Sequence, residues 1–200
     1  MRARVALAVA LAVTLSACSS CKDGGGAATE GGAGDGGGKA GSSEAGPSAS
    51  TARTPEEERL WDEAKDGDED ALRRLANHEG ARGLAERGAD GAHEKTALRA
   101  MAYADGFAQL PMLGAAAATA PEDEATIAAE SAAELAARKR GQVDPEDREE
   151  LADGCGALLG AAKDSSRPKV VRVNAIRALR MLAEQGCVDP AAIPKDLDAK

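Results

Sequence analysis

At 200 residues, the chain is long enough for one compact domain with an appendage. Its apolar share of 43 % contains only 2 % aromatics, so alanine and leucine supply most of it, and these residues favour helices over a β sandwich or barrel. The net charge of −9, from 34 acids against 25 lysines and arginines, argues against a nucleic-acid surface, which rests on clustered cations.

Met1-Arg2-Ala3-Arg4 is a short basic start, and Val5 to Thr14 is an apolar run too short to span a bilayer. Leu15-Ser16-Ala17-Cys18 follows at once. This tetrapeptide resembles the lipobox of bacterial lipoproteins: leucine three before the cysteine, small residues between, then the cysteine. The resemblance implies a signal peptide over 1–17, cleavage before Cys18, and acylation of Cys18 as the first mature residue. Ser19 stands where an aspartate holds many such lipoproteins at the inner membrane, so the resemblance favours the outer membrane of the cell envelope. Cys18 and Cys21 also read as Cys-x-x-Cys, but no second pair and no nearby histidine complete a metal or redox site.

Residues 18–53 read as a tether. Between Gly24 and Gly46, eleven of 23 residues are glycine, too little apolar surface to offset the entropy of ordering the chain. A glycine-rich coil of this length spans roughly 30–35 Å r.m.s.. The glycine runs lack the Lys-Ser/Thr of a phosphate loop.

Residues 54–200 read as an all-α domain. Thr54-Pro55-Glu56-Glu57 is a capping box with proline at the first helical position, leading to Leu60, Trp61 and Ala64. A second helix is expected from Glu69 to about Asn77, after which Gly80, Gly83, Gly88 and Gly91 predict a brief helix and turns. Helical spacing resumes from His93 to Ala104. Leu110-Pro111-Met112-Leu113 leads a helix to Ala120, Pro121 to Glu124 reads as an acidic turn, and Ala125 to Lys139 as the next helix. Leu151 to Lys163, a turn at Asp164–Pro168, and Val170 to Leu182 form a further pair.

These last two pairs resemble HEAT repeats, which have a Leu-Pro-x-Leu first helix, an Asp/Pro turn and a second helix of the form Val-Arg-x-x-Ala-x-x-Ala-Leu-x-x-Leu. Val171-Arg172, Ala175, Ala178-Leu179 and Leu182 match that second helix. The resemblance covers Phe107 to Gly186. It implies a short right-handed array of antiparallel helix pairs, a HEAT-like α-solenoid, with Ala97, Ala129 and Ala175 at corresponding positions. A generic array of helical hairpins would read similarly.

Few residues suggest chemistry. His78 and His93 lack metal-ligand spacing and read as solvated turn residues. The acid runs Glu56–Glu58, Asp66–Asp70 and Glu146–Glu150 sit at helix starts, where the helix dipole and capping account for them. No nucleophile triad or calcium-loop order is present, so neither a cofactor nor a small-molecule substrate is implied and the chain reads as a non-enzyme. Arg167, Lys169, Arg172, Arg177 and Arg180 make the C-terminal helix basic. They form either a docking site for an acidic partner or a solvated face assisted by Glu184.

The functional expectation is a lipid-anchored envelope protein whose helical domain binds another protein. An exposed apolar groove would favour that reading. A basic groove around Arg172 and Arg180 would favour cell-wall polymer, and a concave cluster of acids with raised pKa would favour an enzyme. Cys155 and Cys187 are natural disulfide partners in an exported protein. On an unbroken hairpin turning near residue 166, however, they would lie roughly 15 Å apart along the axis. The bond forms if Gly186 ends the helix and the chain folds back.

Overall fold

The structure, a computed structural model, describes residues 54–195. The expected signal peptide, Cys18 and the tether lie outside the described residues. Seven α helices occur among those residues, with no strand: α1 Pro55–Ala64, α2 Glu69–Gly88, α3 Glu94–Met101, α4 Leu110–Thr119, α5 Glu122–Arg138, α6 Arg148–Lys163 and α7 Lys169–Ala183. Single 3-10 turns stand at Pro145–Asp147 and Pro190–Ala192.

The caps follow the residue chemistry. The Thr54 hydroxyl accepts from the Glu57 amide at 3.3 Å, and the Thr54 amide donates to Glu57 Oε2 at 2.7 Å. Asp68 caps α2 by accepting from the Ala71 amide at 2.9 Å. Several boundaries differ from expectation, α6 among them, which begins at Arg148 rather than Leu151. Only Gly80 interrupts α2 (φ 65°, ψ 177°), and the chain resumes helix directly, carrying Gly83 and Gly88 inside it. Gly88 serves packing: a Cβ there would lie 2.9 Å from that of Ala97 on α3. The acidic segment 122–124 is the first turn of α5 rather than a separate turn, placing its carboxylates at the positive end of the helix dipole. Helix α3 stops at Met101, followed by tight turns through Ala104. There buried Gln109 donates from Nε2 to the carbonyls of Ala104 and Gly106, tying the loop to the start of α4.

The helices pack against one another in a continuous array. Helix α4 lies against α5 and α6, α5 against α7, and α6 against α7; α3 packs on α2 and α5, and α1 on α2. The shared core is built from alanine and leucine, with Trp61 and Phe107 as its aromatics. Ala97, Ala129 and Ala175 are all buried in it.

Cys155, buried within α6, is bonded to Cys187 across a sequence separation of 32, with Cα atoms 6.2 Å apart. The offset expected of an unbroken hairpin is removed because α7 ends at Ala183. Gly186 (φ 82°) then turns the chain back over α6 in a left-handed conformation suited to glycine. The returning segment places Ile193 against the core, and Arg180 Nη2 donates to the Lys195 carbonyl at 2.9 Å.

Candidate functional site

The five cations of the C-terminal helix and its approach are held in different ways. Arg167 Nη2 donates to the Ala120 carbonyl at the end of α4 (2.7 Å), and Arg172 Nε to the Ala162 carbonyl in the last turn of α6 (3.3 Å). Both therefore satisfy helix C-terminal carbonyls that no backbone amide can reach. Arg180 braces the returning segment, while Lys169 and Arg177 stay exposed. Glu184 does not assist them. It takes a two-pronged bond from Arg140, at 2.6 and 2.8 Å, which holds its carboxyl below the usual range and the guanidinium above its own. Arg172 and Arg180 are thus both engaged with backbone carbonyls.

His93 lies in a more ordered setting than a solvated turn, whereas His78 is solvated but sits on a helix. The ring of His93 meets Trp61 edge to face at 5.1 Å, and its Nδ1 is 3.0 Å from Asp90. His78 lies within α2, and it gathers with Glu57 and Glu79 so that one ligand atom from each falls within 4.8 Å. Sequence spacing missed this cluster because the packing of α1 on α2 creates it. Its chemistry nevertheless suits an ion-pair brace better than a cation. Glu79, whose side chain is 7 % exposed, accepts from Trp61 Nε1 at 3.0 Å and from Arg87 Nε at 3.1 Å, and Arg87 also reaches Glu57 at 3.5 Å. A bound cation would sit beside that guanidinium. Glu79→Ala is expected to destabilise the domain by about 2 kcal/mol by removing the acceptor of Trp61 Nε1 and the nearer partner of Arg87. Glu79→Gln, which keeps an acceptor for Trp61, should cost less. Urea unfolding followed by fluorescence of Trp61, the single tryptophan, reads both.

Within the acid runs, Glu57 and Asp68 cap α1 and α2, and Glu69 and Asp70 pair with Arg73. Glu57 is held low by the Thr54 backbone amide, and Asp164 by the hydroxyl and amide of Ser166. General-acid work needs the opposite direction.

Two grooves remain. One crosses α3, α5 and α7, with a cavity of about 260 Å³ bordered by Arg99, Tyr103, Glu130, Glu134, Asn174 and Arg177. Arg138 and Arg73 lie over the Tyr103 ring at 4.6 and 5.9 Å. Burial, followed by Glu69 and Glu134, pushes the phenol's pKa up. The second groove, also about 260 Å³, is almost wholly apolar. Its walls are the second half of α2 (Ala85, Gly88, Ala89) and α4 (Met112, Ala115, Ala116). Ala97, Leu98 and Met101 of α3 form its floor, and Glu94 is its only charged lining residue. Met112 is 39 % exposed. The clue in the sequence was the composition of α4: LPMLGAAAAT carries no charge although part of the helix faces solvent, in a chain that is 30 % charged. A helix apolar on every side is ordinarily enclosed.

No family model matches the chain, and no curated protein or solved structure matches it. The arrangement of its own residues therefore carries the functional reading.

Proposed function

We propose that the chain is a bacterial envelope lipoprotein, anchored through acylated Cys18 and most compatible with the outer membrane. Residues 18–53 tether a short HEAT-like domain (54–200) that binds another protein without catalysis. The apolar groove along α4 is the observation that carries the protein-binding part. Exposed apolar surface with a polar rim marks interaction sites, and helix-pair arrays offer extended binding surfaces. The lipobox resemblance carries the anchor.

The two parts separate experimentally. Mass spectrometry of the mature protein should find an acylated N-terminal cysteine, and Cys18→Ala should move the protein from the membrane to the soluble fraction. An unmodified N-terminus elsewhere would remove the anchor from the proposal. A photo-reactive amino acid at position 112 should give a discrete adduct in intact cells, lost when Ala115→Glu is added. Absence of any adduct counts against the binding reading.

A further inference from the structure

We infer that the slot between α2 and α4 receives an amphipathic α helix of the partner, with a small-residue and leucine face against α4 and one lysine or arginine paired to Glu94. The inference rests on the protein-binding reading and names the kind of segment bound. Helix α3 packs on α2, and α4 packs on α5 and α6, whereas α2 and α4 are not substantially packed on each other. The gap has helical walls and a helical floor, so an added helix would pack in the way each helix here packs on its neighbours. Alanine and glycine walls allow close axial approach, and Met112 can change rotamer to fit an incoming side chain. A cavity of about 260 Å³ admits one or two apolar side chains and falls short of the roughly 300–1,000 Å³ of typical small-ligand pockets.

The charge at the slot selects among occupants. Glu94 is half-buried, and no other described residue pairs with it, whereas nearby Glu86 is held by Arg82 at 2.8 Å and Lys95 by Asp123 at 3.1 Å. A fatty acid or phospholipid would bring an anionic head towards this carboxylate. A second copy docking through its own α4 would bring no cation, because α4 has none. A helix with a basic residue beside its apolar face meets both demands, and an acidic protein attracts it from a distance.

The test uses the full mature chain with Cys18→Ser, which dispenses with detergent, and fluorescein-labelled designed helices of about 18 residues. These share an alanine–leucine face and carry Lys, Gln or Glu at one flanking position. Anisotropy should show the Lys helix binding about tenfold more tightly than the Glu helix. Glu94→Gln should erase that preference while leaving the Gln helix unaffected. Met112→Glu and, independently, Ala115→Glu should each weaken all three at least tenfold, with unchanged circular dichroism confirming the fold. Absence of binding, indifference to the flanking charge, indifference to both groove variants, or displacement of the Lys helix by equimolar palmitate each overturns the inference. If no helix binds while the cross-linker at 112 captures a partner, the inference fails and the binding function stands. If helices bind and no adduct forms in cells, the function fails and the chemistry of the slot stands.

Discussion

Reducing the Cys155–Cys187 bond is expected to lower the stability of the helical domain by about 3–4 kcal/mol, from the chain entropy released when a loop of 32 residues opens. For a domain of this size that corresponds to a fall in Tm of roughly 10–15 °C. The energetic setting makes the effect large. The core is rich in alanine, which buries little area per residue, so interhelical contacts leave a modest reserve. The segment after Gly186 has only one 3-10 turn of regular structure and is otherwise held by Ile193 and the Arg180 bond. Cys155 is fully buried, so Cys155→Ser adds the penalty of a buried hydroxyl, while the half-exposed Cys187→Ser does not. Thermal melts of the oxidised, reduced and Cys187→Ser forms check this: the last two should coincide at the lower Tm, and Cys155→Ser should fall below them. Thiol counting under denaturing, non-reducing conditions should find neither thiol free. Free thiols at 155 and 187, or equal melting of oxidised and reduced protein, would refute the assignment.

The helices were legible in the sequence wherever the signal was local. Thr54, Asp68 and Pro111 mark helix starts through capping and proline geometry, and alanine–leucine spacing marks buried faces. Signals that depend on packing were not legible. Glycines in α2 read as breakers, yet Gly88 is retained in helix because α3 approaches it closely, and Gly80 alone takes a left-handed conformation. Arg167 and Arg172 read as part of a basic stripe. Their bonds to Ala120 and Ala162 arise because long side chains can fold back onto carbonyls of other helices, 47 and 10 residues away. The apolar groove had a trace in sequence, the uncharged run of α4. Only the separation of α2 from α4 shows that one side of that helix is open.

The contact between α4 and α6 depends on two glycines, and enlarging either should be among the most damaging single substitutions in the domain. A Cβ at Gly154 would lie 2.4 Å from Leu110 Cγ and 2.9 Å from the Leu110 backbone carbon. One at Gly114 would meet Ala157 Cβ at 2.8 Å and the Gly154 carbonyl oxygen at 2.9 Å. Because backbone lies behind both contacts, a rotamer change cannot relieve them and the helices must move apart. Overpacking of this kind costs about 1–3 kcal/mol, offset by less than about 1 kcal/mol from the better helix propensity of alanine. Gly154→Ala is therefore expected to destabilise by about 2 kcal/mol, and Gly154→Val by more. Gly156 and Gly160 lie on the same helix with nothing within 4 Å of the added Cβ. Gly156→Ala and Gly160→Ala should accordingly each stabilise by about 0.5–1 kcal/mol. Denaturant unfolding of the four variants measures the contrast. Opposite signs within one helix isolate packing from propensity, and a Gly154→Ala protein as stable as Gly156→Ala would show that α4 and α6 do not approach as closely as their glycines allow.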